Sequence, residues 1–299
     1  MKPAMKPKRK RNAKKSLADV GHILSHYPRH KVYPVMSLGA GIQSTAMVLM
    51  EIEGLLPKSE GAIFADTKWE PAQVYTHLKK LQAYAKKNDY DIHVISKVDL
   101  REKTVQNVLE AGFMTIPFFV TDLENPEKKG MRHRRCTGEA KIDPINSKVR
   151  ELLGYKPKQR VKHQVEMRLG ITTDEASRMA TNRVPWITNA YPLIDLGYSR
   201  QDCEKYLIDK GWDVPRSACV ICPYKSNQEW LQLKQECPEN FREAIEIDGF
   251  IRNSHHNPRY KIYLHSSRSP LKNIDFETSA EEDDGLNFFN AECQGICGV

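Results

Sequence analysis

Two groups of residues in this 299-residue chain have the types and spacing to do chemistry. The first is the run Ser37-Leu38-Gly39-Ala40-Gly41-Ile42-Gln43-Ser44-Thr45. An apolar strand, a glycine-bearing turn and a helix opening at Ser/Thr together make an anion site. Gly39 and Gly41 allow positive φ and close approach of backbone to ligand. The hydroxyls of Ser37, Ser44 and Thr45 are candidate donors. No Gly-Lys-Ser/Thr follows, so this is not a Walker loop. Ser44 stands where the third glycine of a dinucleotide fingerprint is expected. The local pattern predicts phosphate binding and does not name the ligand.

The second group is the cysteines, seven in all: Cys136, Cys203, Cys219, Cys222, Cys237, Cys293 and Cys297. In an intracellular chain they are read as ligands or reactive thiols before disulfides. The close pair Cys219-Val220-Ile221-Cys222 can reach one metal centre. Four thiolates suit an iron–sulfur cluster or a structural zinc. Cys136 and Cys203 are the candidates to complete the set, and zinc would draw on His255 or His256 as well. Cys237 has no partner in this scheme. Lys128, Lys129, Arg132, His133, Arg134 and Arg135 run directly into Cys136. They form either a solvated basic loop or an anion site beside the metal, with Arg135 as the candidate contact. Leu264-His265-Ser266-Ser267-Arg268 offers His265 as a further oxyanion group, although a lone histidine is more often a structural one.

Elements able to position these residues alternate as strand and amphipathic helix, the pattern of a parallel α/β sheet. Strands are expected at 31–36, 61–65, 91–96 and 161–171. Helices are expected at 44–53, 71–87, 100–111, 141–153, 200–210, 227–235 and 240–247, with another opening at 173–179. Residues 115–135, with Pro117, Pro126 and Gly130, read as loop. No internal repeat and no splitting linker is visible. Three parts are expected: a basic, disordered arm over 1–30, an α/β domain with a cysteine-rich insert over 31–270, and an acidic then cysteine-bearing tail over 271–299.

The chain holds 46 basic and 38 acidic residues, for a net charge of +8. Eight of those bases and no acid fall in residues 1–15, so the arm carries the whole excess and the body is neutral. Such an arm is either a solvated tail or a holder of nucleic acid through phosphate contacts. No apolar run is long enough to cross a bilayer, and the first residues are too basic for a signal-peptide core. A soluble, cytoplasmic protein with no membrane partner is expected.

The ordered motifs resemble those of the PAPS reductase family, within the PP-loop superfamily of adenine nucleotide α-hydrolase-like proteins. The loop is similar to the PP-loop pattern Ser-Gly-Gly-x-Asp-Ser, with Gln43 where the ATP-cleaving members have aspartate and the reductases have glutamine. Phe64-Ala65-Asp66-Thr67 resembles the segment beside the adenosine, which implies nucleotide contacts for Asp66 and Thr67. Cys136 through Ile145 resembles the cysteine-to-Lys-x-x-Pro-Leu element and brings in Lys141. Gly170 through Arg178 resembles the Gly-x-x-x-x-Glu-x-x-Arg segment, with Arg178 as an anion contact and Glu175 as an orienting group. Tyr191-Pro192-Leu193-Ile194 resembles the Pro-Leu before the family's next helix.

The resemblance covers roughly residues 31–270 and implies a three-layer, Rossmann-like α/β fold. It implies ATP, APS or PAPS as ligand, Mg2+ as its companion, and a [4Fe-4S] cluster. The family's cluster uses a Cys-Cys pair upstream, but here Thr137 follows Cys136, which leaves the fourth place open to Cys203 or to an iron without a thiolate. Cys293 matches the family's C-terminal nucleophile and Cys297 would resolve its adduct, with a thioredoxin-like thiol as reductant. Two activities are implied: sulfonucleotide reduction or sulfur transfer on one side, and on the other an ATP-dependent enzyme that adenylates and modifies a nucleobase, tRNA or DNA. A non-catalytic nucleotide-binding Fe–S module is the third possibility.

Overall fold

The computed structural model describes residues 32–110, 115–127, 129–254 and 258–277. The arm, Lys128, His255, His256, Cys293 and Cys297 lie outside the described residues.

Strand β1 (Val32–Leu38) runs through Gly39–Gly41 into α1 (Ile42–Ile52), where every residue from Gln43 to Glu51 is buried. A helix enclosed on all sides must satisfy its polar side chains inside the protein. Strand β2 (Ala62–Ala65) leads to α2 (Ala72–Lys87), which buries Val74, Leu78, Leu81 and Ala85 at helical spacing. Then come β3 (Ile92–Ile95), α3 (Leu100–Leu109), β4 (Phe119–Asp122) and β5 (Lys129–Met131). A π-helical turn at Gly138–Ile142 opens α4 (Asp143–Leu152). Strand β6 (Gln164–Arg168), a 3-10 turn at Thr173–Arg178, β7 (Ile187–Ala190) and the short α5 (Pro192–Asp195) follow. Helices α6 (Arg200–Asp209) and α7 (Asn227–Glu236) both start on capping boxes, Ser199 with Asp202 and Ser226 with Glu229. Helix α8 (Pro238–Ser254), β8 (Tyr260–Tyr263) and a 3-10 turn at Leu271–Asn273 complete the described elements.

Five strands form a parallel sheet in the order β3-β2-β1-β6-β7. The chain winds outward from β1 in one direction and resumes at β6 in the other. The crevice beyond the carboxyl ends of β1 and β6 is therefore the switch point at which such sheets take ligands. One core fills the side of α1, α2 and α6, and a second, around Val35, Ile145 and Val165, fills the other face. The α/β, three-layer reading of the sequence is met.

Two expectations change. Residues 115–135 are not simply loop: β4 and β5 pair there, and β4 also pairs with β8, in an antiparallel sheet ordered β5-β4-β8. A third core lies beneath it, holding Trp230, Phe241, Ile262 and Leu264. The body also runs past residue 270, because Leu271 and Phe276 are buried in that third core and the Leu271 N–H donates to Asp248 at 2.9 Å.

Candidate functional site

The loop sits at the switch point. Its one left-handed residue is Ala40, at φ +57°, whereas Gly41 is extended at φ −101°. Sequence reasoning assigned the positive φ to glycine, and the backbone gives it to the residue between the glycines. Gly41 caps α1 with no side-chain hydrogen bond, and the first turn of α1 has no acidic residue. That end of the helix keeps its positive dipole for an anion.

Two of the loop's hydroxyls have partners within the protein. Ser37 is buried at the end of β1. Ser44 Oγ donates to the Gly41 carbonyl at 3.3 Å, and Thr45 Oγ1 lies 3.0 Å from His77 Nε2. His77 is buried, and that burial, helped by Lys80, lowers its pKa to about 4. It is a neutral ring under the loop at pH 7. The Ser44 and Thr45 hydroxyls are thus engaged within the protein, one on the turn's own backbone and one on α2.

Gln43 is fully buried, and its Nε2 donates to Glu175 at 3.3 Å. Glu175 pairs with Arg178 at 2.9 Å, with both side chains nearly buried. Loop and arginine are thus joined through one carboxylate. Gln43 Oε1 is a buried acceptor with no protein partner among the described residues. Asp66, at the end of β2, accepts from Tyr75 Oη and from the Lys68 N–H, both at 2.8 Å. Burial, then Asp66 itself, raises the Tyr75 pKa.

Near the loop is a partly open pocket, and Cys136, Cys219 and Cys222 all line it. Thr67, Lys141 and Arg134 contribute its polar edge, and Leu100, Ile116 and Ile221 its apolar wall. Two bonds fasten the segment that carries Cys219 to the glycine turn and to the chain that follows β2. Ser217 Oγ donates to the Gly39 carbonyl, and the Val220 N–H donates to the Trp69 carbonyl at 2.8 Å. Behind Cys219 stands Glu70, whose Oε1 accepts from Thr67 Oγ1 at 3.2 Å and from Cys219 Sγ at 3.3 Å, and pairs with Lys141 Nζ at 3.3 Å. Glu70 Oε2 is buried with no protein partner among the described residues.

Three expected contacts stand elsewhere. Cys203, on α6, is fully buried in the core around α1 and packs there as a small apolar residue, away from the other three cysteines. It does not complete the thiolate set. His265 is buried with both ring nitrogens engaged: Nδ1 accepts from the Ser267 N–H at 3.1 Å, and Nε2 meets Asn227 Oδ1 at 2.7 Å. Nδ1 is therefore the acceptor and Nε2–H the donor, and the ring is a structural brace. Arg135 is exposed, and it is the neighbouring Arg134 that reaches the cavity. Cys237 is buried in the third core.

Sequence reasoning missed His77, Glu70 and Ser217. His77 and Glu70 lie inside ordinary helical or loop sequence, and only their spatial neighbours mark them. Ser217, two residues before Cys219, had proximity to the cysteine pair as a signal. Among the described residues, no three His, Cys, Asp or Glu side chains converge closely enough for a single metal ion. A [4Fe-4S] cluster spreads its ligands around a cube and asks for no such convergence.

No family model matches the chain, and no curated protein matches it. Among solved structures, it is similar to phosphoadenylyl-sulfate (PAPS) reductase from Candida auris in a phosphate complex. That match has 13% identity and a TM-score of 0.38 over 67% of this chain and 81% of that one. It is also similar to a U34-tRNA thiolase from Methanococcus maripaludis with its [4Fe-4S] cluster. Here the identity is 11% and the TM-score 0.40, over 80% of this chain and 78% of that one. Superpositions this loose transfer no residue role and no ligand, and the fold stands on the strand order itself.

Proposed function

We propose that this chain is an adenine-nucleotide-dependent sulfur-transfer enzyme, with the nucleotide at Ser37–Thr45 and a [4Fe-4S] cluster held by Cys136, Cys219 and Cys222. The observation that carries the reading is that these three cysteines line one cavity whose wall is bonded to the phosphate loop. The residues present fit both groups. Thiolates are the ligands of such clusters, and the cavity wall is otherwise largely apolar. Gln43 Oε1 is a buried polar group left for a ligand on the loop side.

The bound cluster would supply a site for sulfide-level sulfur, because three cysteines leave one iron without a thiolate. The rest falls to the chain. The α1 N-terminus and Arg178, braced by Glu175, take the phosphate charge. Lys141, held by Glu70, brings a cation to the cavity edge, and Leu100, Ile116 and Ile221 keep water out. ATP, with Mg2+, adenylates an acceptor oxygen with loss of pyrophosphate, and a sulfide-level donor then displaces AMP at the same carbon.

Anaerobically purified protein is expected to absorb in the visible, and to release pyrophosphate from ATP only when an acceptor is present. A colourless, iron-free sample with full activity would remove the cluster from this reading. Sulfonucleotide reduction is the second reading, favoured by glutamine at position 43. It requires sulfite from APS or PAPS with a thiol donor, lost in Cys293→Ser.

A further inference from the structure

The loop between α4 and β6 carries Lys156, Lys158, Arg160, Lys162 and His163 with no acid among them. All five are exposed, and none has an ion pair among the described residues. Like charges this dense repel one another, and bonds beneath them hold the loop together. Arg150 Nη2 donates to the carbonyls of Lys156 and Gln159, and the Lys156 N–H donates to Gln159 Oε1 at 3.0 Å. Tyr155 Oη accepts from the Lys162 N–H at 3.0 Å and gives its own proton to His163 Nδ1 at 2.7 Å. Val161 is buried. None of these bonds uses a lysine ammonium or the Arg160 guanidinium, so those heads stay in solvent. Lys158 even holds a left-handed position, φ +65°, that glycine would take without strain.

The loop enters β6 at Gln164, which is level with Val32 at the start of β1. It therefore lies at the amino ends of the parallel strands. The crevice is at their carboxyl ends, about 20 Å away at ~3.3 Å per residue. Arg183, exposed ahead of β7, extends the basic side. Across β1 the charge reverses, with the exposed acids Glu60, Asp89 and Asp91 ahead of β2 and β3. The residues before Val32, with eight bases and no acid in 1–15, join the sheet at this same end.

Solvated cations on a braced loop suit a row of phosphates. A single strand asks in addition for rings to stack on, and the loop's two rings, Tyr155 and His163, are bonded to each other. A lipid surface asks for apolar side chains to insert, and none of the exposed large apolar residues lies in this loop. We infer that the loop 156–163, with Arg183, binds the phosphate backbone of a double helix and anchors a nucleic acid at the end of the sheet away from the crevice. This surface includes neither the glycine turn nor the cysteines, so the inference does not rest on the sulfur-transfer reading.

The test titrates full-length protein with duplex DNA, duplex RNA, the corresponding single strands, polyglutamate and phosphatidylserine vesicles across a range of salt. Duplexes are expected to bind most tightly, with the DNA and RNA arms identifying the source. Replacing Lys156, Arg160 and Lys162 together by Gln should lower duplex affinity about tenfold. It should also flatten the log–log salt slope by roughly 2.7, at ~0.9 for each phosphate no longer neutralised. A control with the same change of charge, Lys79, Lys86 and Lys87 on α2 replaced by Gln, should lose much less. All six residues are exposed, so both variants should keep the parent's urea midpoint. Lys158→Gly should gain in urea midpoint and lose duplex affinity in the same protein. No duplex binding at low salt, or an unchanged slope in the loop variant, overturns the inference. So does an equal loss in the control, tighter binding of single strands or vesicles than of duplexes, or polyglutamate bound as tightly as the duplexes.

Discussion

Glu51 and Glu70 both have completely buried side chains paired with a buried cation, and they are treated in opposite ways. Glu51, on α1, has both oxygens filled. Oε1 meets Arg168 at 2.8 Å, and Oε2 accepts from the Ser59 N–H, Ser59 Oγ and Tyr90 Oη at 2.9, 2.5 and 2.9 Å. Arg168 is in turn held by Glu166 at 2.8 Å and by the Pro57 carbonyl. Glu70 crowds its donors onto one oxygen and keeps the other buried and without a protein partner among the described residues. A closed network is a brace. A network with one buried oxygen unanswered costs stability unless something else completes it. The region under α1 is finished by the protein itself, and the region around the cysteines keeps one carboxylate oxygen without a protein partner among the described residues.

The contrast can be broken at several places. The largest effect belongs to the cavity. Cys136→Ala, Cys219→Ala and Cys222→Ala should each strip the visible absorption of anaerobically prepared protein, while Cys203→Ala keeps it and loses only packing. If Cys203→Ala bleaches the protein and Cys136→Ala does not, the assignment of the cavity fails.

Next come the glutamates. Glu51→Gln leaves Arg168 short of a partner and should cost about 3 kcal/mol in urea unfolding, the scale for breaking a buried pair from one side. Glu70→Gln should cost clearly less, and should instead weaken iron retention and turnover. Equal destabilisation by the two would erase the comparison.

His77 gives the pH dependence. Its folded pKa, about 4, is below the ordinary 6.5, so the unfolded chain binds the extra proton between these values. The neutral ring's contribution is fully present above pH 6.5, falls as pH drops from 6.5 towards 4, and is spent below 4. The ceiling is about 3 kcal/mol, from about 1.4 per unit. Stability measured across this window should slope less in His77→Gln.

The smallest effect is at Ala40. Glycine accepts φ near +57° without the clash that alanine carries. Ala40→Gly should therefore raise stability by no more than about 1 kcal/mol, visible as a small rise in the urea midpoint.

Much of the parallel sheet was legible because its signals are local. β1, the glycine turn and α1 are consecutive, and α2 shows its buried face in the spacing of Val74, Leu78, Leu81 and Ala85. The antiparallel sheet was not legible. β4 is four residues between Pro117 and Pro126, and its partner Tyr260–Tyr263 lies more than a hundred positions away. No window along the chain contains that pairing. The site divides the same way. The close spacing of Cys219 and Cys222 marked the pair, whereas Cys203 and His265 matched by residue type and failed by position. Cys203 sits on a helix that turns it into the core, and His265 is held by Ser267 and Asn227. Glu70 was invisible, because an acidic residue before a helix is ordinary until Thr67, Lys141 and Cys219 are found around it.

The Ser217 hydroxyl on the Gly39 carbonyl ties the glycine turn to the segment that leads into Cys219. Two binding events that pull on one shared bond are thermodynamically linked, and linkage has no preferred direction. On the proposed reading, whatever factor a loaded loop adds to metal retention, a loaded cavity returns to nucleotide affinity. A chelator titration followed by nucleotide release would therefore read the same coupling constant as a nucleotide titration followed by iron loss. Ser217→Ala should shrink both together.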